Sequence, residues 1–331
     1  MKRLLVNDCL TCIPGTRTFW HDLQEWFGCE FCGGDYSILA KEAEERLEYF
    51  LDDSYAGDEY PNLIIRNASY FPPIATTVPT VSLLQDISPD GETRKMQEEV
   101  IKSSRIVVFN STFTASKYAI SLADPLQQNY RIIPLPVDFS LFQPQNAYAL
   151  QQALSLPDNC ICWIGAQSEI KGYDTFLQIV RRNPDLCFVA VFKDNAPGYG
   201  PPNMRTYTKL THEELVKVIG ACRIGLCTSR TESQHLAGIE MGACGLPLVV
   251  PPVGCYWNLK PGDWPGSFFD HRDGPSAIAT ILRATLSLDN KLGRTPDTIR
   301  AYWKARFDKP IIKKQWEDLV DAVEHPDRRD S

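Results

Sequence analysis

The chain has 331 residues, 44% of them hydrophobic, which is enough for one large core or two medium ones; two domains is the better reading. Its net charge is −7, and residues 1–145 hold 12 Lys and Arg against 20 Asp and Glu, while the remainder is close to neutral. An acidic half without a basic stripe argues against a nucleic-acid grip, which depends on neutralising phosphates, and no apolar run reaches the eighteen or so residues of a membrane span. Asn7 and Asp8 interrupt the first apolar run too early for a signal peptide, so a cytoplasmic protein is expected, with its eleven cysteines reduced.

KRLLVNDC reads as a buried strand, and LTCIPGTRT as a turn built on Pro14 and Gly15. TFWHDLQEWFG follows, with Phe19, Trp20, Leu23, Trp26 and Phe27 at helical spacing and Gly28 closing it. Strand, glycine loop and helix open a doubly wound α/β domain. There is no G-x-G-x-x-G, and a dinucleotide cofactor is not expected. Cys9-x2-Cys12 and Cys29-x2-Cys32 have the spacing of a zinc ribbon. The preferred reading places them on two strands, held apart by a helix roughly 16 Å long, with elemental zinc analysis as the arbiter.

Residues 37–60 read as an acidic helix with Leu39, Ala43, Leu47 and Phe50 on one face. PNLIIRNA and TVSLLQD read as strands. SRIVVFNSTFTASKYA reads as strand then helix, with Ser111 or Thr112 as cap. RIIPLPVDFSLFQP, stiffened by Pro134, Pro136 and Pro144, reads as a crossing between domains with the boundary near 145. NAYALQQALSLP then opens the second domain as a short helix. NCICWIG is an apolar strand ending at Gly165, and Lys171-Gly172 precede an amphipathic helix carrying Phe176, Leu177 and Val180. CFVAVFKD is a strand. MRTYTKLTHEELVKVIGAC is a strand and helix with Thr211 as N-cap and Glu214 at the capping-box position. SAIATILRATLSL and PIIKKQWEDLVDAVEH are further amphipathic helices.

The most informative stretch is CTSRTESQHLAGIEMGACGLPLVVPPVG, residues 227–254. ACRIGLC before it and GLPLVVPP at its end read as strands, His235 to Cys244 has helical composition, and Gly245 and Pro247 stop the helix. Glu232 therefore falls in a loop and Glu240 on a helix, eight residues and roughly 12 Å apart at 1.5 Å per residue. That is the length of a sugar joined to a diphosphate and ribose.

Glu232-SQHLAGI-Glu240 with its Ala-Cys-Gly-Leu-Pro turn and apolar strand, together with the upstream Lys171-Gly172, resembles the retaining GT-B glycosyltransferases of glycosyltransferase family 4. The resemblance implies an α/β GT-B fold of two Rossmann-like parallel-sheet domains with a cleft between them. The domains would be residues 1–145 on the acceptor side and 146–306 for the nucleotide sugar, with a helix in 307–331 packing back on the first. It implies transfer of a sugar from a nucleotide-diphosphate sugar to an acceptor hydroxyl, with retention, without metal, and with no cofactor beyond that donor.

By the same resemblance Glu232 and Lys171 are the catalytic pair, Glu232 toward the donor-sugar hydroxyls and Lys171 on the diphosphate. Glu240 takes the ribose hydroxyls, which a carboxylate accepting from two neighbours suits. Gly165, Ser233, Gln234, His235 and Leu236 line the donor, Lys209 and Leu210 lie near the base, and Gly15 approaches donor and acceptor. Three departures stand out: Ala166 where the family has a second cation, a single glycine in the first loop, and Gln85-Asp86 where many members have a His. Arg230 is the candidate for the missing charge. They keep open one rival, a non-catalytic binding or partner subunit; a nucleotide-sugar epimerase on the same fold is a second alternative, which would need more acid and base groups in the cleft than five scattered histidines suggest. The acceptor, a saccharide or other hydroxyl compound, is not legible.

Overall fold

The structure is a computed structural model, and residues 2–6, 14–32, 61–68, 76–88, 91–118, 129–195, 198, 200–288 and 295–326 are described. The chain divides into two compact units, Met1–Pro136 with Ile312–Ser331, and Val137–Ile311.

The first unit is built on a six-stranded sheet in the order β2-β1-β3-β4-β5-β6, every neighbouring pair parallel. Its strands are β1 Lys2–Val6, β2 Glu30–Cys32, β3 Pro61–Asn67, β4 Thr80–Leu84, β5 Ile106–Phe109 and β6 Tyr130–Ile132. All four residues of β5, IVVF, are buried, the run expected of a strand covered on both faces. Helix α1 is Pro14–Phe27, α2 Glu92–Ser103 and α3 Thr112–Lys117, with the Ser111 side chain accepting from Thr114 N as cap. Pro14 and Gly15, expected in a turn, begin α1; proline suits a first helical turn because the amide it lacks would have no intrahelical partner.

Of the cysteines considered for zinc, Cys9 and Cys12 lie outside the described residues, as does the acidic segment 37–60. Cys29 is buried beside β2, where burial pushes its thiol up to about 11.

The second unit carries a second six-stranded parallel sheet, β12-β11-β10-β7-β8-β9. Its strands are β7 Ile161–Ile164, β8 Phe188–Phe192, β9 Met204–Thr208, β10 Ile224–Leu226, β11 Leu248–Val250 and β12 Gly266–Phe268. Its helices are α4 Ala147–Leu154, α5 Tyr173–Arg182, α6 His212–Gly220, α7 Leu236–Ala243, α8 Pro275–Leu288 and α9 Pro296–Phe307. The Thr211–Glu214 capping box forms at α6 as its residue types require. The chain runs outward from β7 through β8 to β9, returns to β10, and runs outward again. The strand order thus reverses between β7 and β10, the crevice where doubly wound sheets bind ligands.

The division falls between Pro136 and Val137, ahead of the expected position near 145. The proline-rich crossing is not free past Pro136: Val137, Phe139 and Phe142 are buried in the second unit's core. Val137 N donates to Phe307 O at 2.9 Å, and the Arg300 guanidinium donates to Phe139 O at 2.6 Å and Phe142 O at 2.7 Å. The last helix, α10 Lys309–Glu324, belongs from Ile312 onward to the first unit. There Trp316 is fully buried against Phe19, and Arg3 grips Glu324 through two 2.8 Å hydrogen bonds.

Candidate active site

Two loops leave the carboxyl ends of β7 and β10 on either side of the reversal. The first runs from Gly165 to Gly172 and the second from Cys227 to His235. Their meeting is local and specific. Lys171 Nζ donates to Glu232 Oε1 at 2.6 Å, and Ser229 Oγ donates to the same oxygen at 2.7 Å. The Glu232 side chain is 10% exposed and that of Lys171 33%. Residues 61 positions apart in sequence thus form a single ion pair at the switch point.

The backbone beneath Lys171 is held from the side of β10. Trp163 Nε1 donates to Thr228 Oγ1 at 2.9 Å, and Thr228 Oγ1 donates onward to Lys171 O at 2.9 Å. The indole stays in place because Trp163 stacks on Phe176 of α5, ring centres 4.6 Å apart and planes within 11°. Gly172 sits at φ +60°, and a Cβ there would lie 2.0 Å from Thr228 O. Only glycine lets the two loops approach so closely while turning left-handed into α5.

Burial works to raise the Glu232 carboxyl; the charges of His235 and Lys171 and the bonds from Lys171 and Ser229 outweigh it, so its pKa falls below the ordinary value. Burial lowers His235 to about 4. At neutral pH the imidazole is therefore uncharged, and Lys171 and Ser229 do the work of holding Glu232 ionised. His235 is buried at the N-cap of α7 with φ 74°, and its Nδ1 is 2.8 Å from the Tyr256 hydroxyl. A Cβ on Gly238 would fall 1.9 Å from that hydroxyl and 2.4 Å from His235 Nδ1, so the absence of a side chain on α7 makes room for the pair.

Glu240 lies one turn further along α7, half-buried; its backbone O accepts from Cys244 N at 3.0 Å, and its carboxylate has no hydrogen-bond partner among the described residues. Burial alone raises its carboxyl to about 7. Gly165 directly follows β7, its N donating to Val191 O at 3.1 Å. Ser233 and Leu236 are half-buried and Gln234 buried beside His235. Lys209, at φ 54°, and half-buried Leu210 leave the same edge of this sheet after β9. Gly15 stands in the first unit, at the start of α1.

Arg230 does not supply a loose cation. It donates to Glu169 at 2.6 Å and Asp174 at 3.1 Å on the exposed side of the loop. Cys227, Glu232 and His235 each offer a ligand atom within 4.8 Å of the others, the one such group among the described residues. Their arrangement already has other partners. Glu232 Oε1 takes Lys171 and Ser229, His235 takes Tyr256, and burial pushes the Cys227 thiol up to about 12.

Solved structures similar in fold include sucrose-phosphate synthase from Thermosynechococcus elongatus, with TM-score 0.76, 16% identity, and 98% of this chain and 99% of that one covered. Anabaena Alr3699/HepE in complex with UDP and glucose gives TM-score 0.73 at 16% identity, covering 97% of this chain and all of that one. This chain has the GT-B fold. In sequence, chains similar to it include D-inositol 3-phosphate glycosyltransferases from Stackebrandtia nassauensis, 26% identical over 203 residues, and Saccharomonospora viridis, 27% identical over 203. The first match covers 54% of this chain and 45% of the relative, the second 54% and 47%, so the chain spans about half the length of these curated relatives. No protein-family model matches it. The resemblance to family 4 of the GT-B glycosyltransferases, read from the paired glutamates and Lys171-Gly172, agrees with both comparisons.

Thr228, Ser229, Trp163, Tyr256 and Gly238 were not singled out in the sequence. Thr228 and Ser229 carried a usable signal, two hydroxyls at a strand's carboxyl end just before Glu232. Tyr256 carried none, because it meets His235 only after β11 has crossed the sheet.

Proposed function

We propose that this chain is a glycosyltransferase that moves a sugar from a nucleotide-diphosphate sugar to an acceptor hydroxyl, with retention and without a metal on the diphosphate. The observation that carries the reading is the Lys171–Glu232 pair at the switch point of the second sheet. A half-exposed ammonium there, with one N–H given to Glu232, offers its other two to a leaving diphosphate, in a crevice where charge is screened less than in water. Glu232, held ionised and fixed by Ser229, accepts from donor-sugar hydroxyls on the side of the anomeric carbon. Glu240, unpartnered and half-buried, suits a ribose diol, whose two hydroxyls replace the water its carboxylate lacks. The amides of Leu236 and Ala237, at the start of α7, face an anion favourably. His235, uncharged at neutral pH and 2.8 Å from the Tyr256 hydroxyl, positions the backbone at that helix start rather than serving as an acid.

One neighbour bears on the donor: Anabaena Alr3699/HepE is described with UDP-glucose. UDP-glucose is therefore the first donor to try. Turnover of labelled UDP-glucose, by transfer to a saccharide panel or by hydrolysis, should fall at least about a hundredfold in Lys171→Ala and Glu232→Gln, the usual scale for losing one charge-stabilising group. Calorimetry runs beside it. Ala166 at the position of the family's second cation and the engagement of Arg230 by two carboxylates favour one other reading, a non-catalytic nucleotide-sugar binder. Binding of UDP-glucose without turnover on any acceptor would select that reading, and no binding of any nucleotide sugar would sink both.

A further inference from the structure

The second unit holds a pair of thiols that sugar transfer does not use. Cys160 immediately precedes β7 and Cys187 immediately precedes β8, and the register Ile161↔Phe188 sets them side by side at the amino ends of adjacent parallel strands. The backbone closes the pairing, Ile161 N donating to Cys187 O at 2.9 Å. Cys160 Sγ donates to Cys187 Sγ at 2.9 Å. Their surroundings differ: Cys160 is fully buried, while Cys187 is half-buried and open to a small reagent.

The asymmetry extends to reactivity. The hydrogen bond from Cys160 lowers the Cys187 thiol below its ordinary value; partial burial opposes this, and the charge of Arg205 assists. Cys160 is pushed up, first by the same hydrogen bond and then by burial. A thiolate near a cation and in reach of reagent is the form that attacks oxidants, while a buried protonated thiol beside it waits. Two other cysteines share this part of the core. Cys222, fully buried, pairs with Cys162, the next residue along the same face of β7, and also donates to Val218 O at 3.4 Å, so a second thiol pair lies behind the first but without its exposure.

We propose that Cys160 and Cys187 are a peroxide-oxidisable thiol pair, with Cys187 the attacking sulfur and Cys160 the resolving one. Cys187 thiolate attacks one oxygen of hydrogen peroxide, forming an S–O bond as the O–O bond breaks. Hydroxide leaves and takes up the thiol proton as water. Cys160 sulfur then attacks the Cys187 sulfenic acid, forming S–S as S–O breaks, and its proton leaves with the hydroxide as a second water. Two thiols are oxidised by two electrons and one peroxide is reduced. In a reducing compartment such a link is transient, which suits a reversible mark rather than a structural staple. It would lie at the opposite end of β7 from the Gly165 loop, about 16 Å away at 3.3 Å per residue.

The test is made on the whole folded chain, treated with hydrogen peroxide under native conditions, alkylated and digested with trypsin. Lys171, Arg181 and Arg182 separate the two cysteines, so residues 183–193 form a peptide in which Cys187 is the sole cysteine. The expected result is that peptide linked to the one bearing Cys160, with fragmentation placing the bond on Cys160 rather than Cys162, and release by dithiothreitol. In Cys160→Ser, dimedone should trap Cys187 as its sulfenic acid; in Cys187→Ser, Cys160 should take no label. Recovery of residues 183–193 as unlinked, singly alkylated peptide from the wild-type chain would overturn the proposal. So would a bond from Cys187 to any cysteine other than Cys160. The wild-type measurement does not depend on either variant folding.

Discussion

At the scale of single residues, the site rests on contacts that tolerate little added bulk. Gly238 is the sharpest case, because a methyl at its Cβ would run into the Tyr256 hydroxyl and the His235 ring at once. Gly238→Ala should destabilise the fold by about 1–3 kcal/mol, the scale of forced overpacking in a tight interior. A lowered denaturation midpoint would show it, even though alanine is otherwise the better helix former. Glu240 sets a pH dependence. Its carboxyl titrates near 7 in the folded chain against about 4.3 in the unfolded one. Between those values the folded state binds the extra proton, so its stability declines as pH rises through that window. His235, lowered to about 4, acts oppositely: its contribution grows as pH rises from about 4 to about 6.5. Denaturation of Glu240→Gln across pH 4 to 8 should lack the decline and keep the rise. If Glu240 clamps the ribose as a carboxylate, UDP-glucose affinity should strengthen as pH passes about 7, and in Glu240→Gln it should be weak and flat. UDP-glucose is the right probe because its diphosphate has no terminal phosphate proton to titrate there.

Among the elements, the two loops at the reversal are tied by one hydroxyl. Thr228 takes a bond from the Trp163 indole and gives one to the Lys171 carbonyl, both at 2.9 Å. Thr228→Val keeps the shape and removes both bonds, leaving a buried N–H and C=O unanswered. The expected loss is about 1–3 kcal/mol of stability, with donor turnover reduced further because Lys171 loses its anchor. Thr228→Ser should recover most of both, and an equal loss in the serine variant would mean that the methyl, not the hydroxyl, matters. The elements themselves were mostly legible in the sequence. β7, α5, β10, α7 and β11 could be placed from apolar runs, the Gly172 start and the Gly245–Pro247 stop, because buried parallel strands have no polar face to blur the pattern. Helices α2 and α9 were not singled out. The mean composition of ETRKMQEEVIKS is polar, and only Gln97 and Val100 of it are buried, so its apolar stripe is too thin to read.

On the scale of the whole chain, the return of the last helix to the first unit deserves a direct measurement. Trp316 is fully buried against Phe19 of α1, and Arg3 of β1 clasps Glu324 near the helix end. Trp316→Ala should cost about 3–5 kcal/mol, the scale of emptying a large aromatic site. A denaturant titration followed by circular dichroism would register it as an earlier transition. An unchanged midpoint would mean the helix contributes little to that unit.

The amino-acid order alone determined the fold class, two parallel α/β sheets, and brought forward Lys171, Glu232 and Glu240. Periodicity, strand-ending glycines and motif spacing are local properties that survive without a structure. Which groups pair, and how hard each holds a proton, was decided only in three dimensions. The Lys171–Glu232 bond, the capture of Arg230 by Glu169 and Asp174, and the Tyr256 hydroxyl on His235 join segments brought together by strands crossing a sheet. So was the division after Pro136, since the burial of Phe139 and Phe142 depends on which core offers them room. Contact energies and desolvation fall off within a few ångströms, and separation along the chain says little about separation in space.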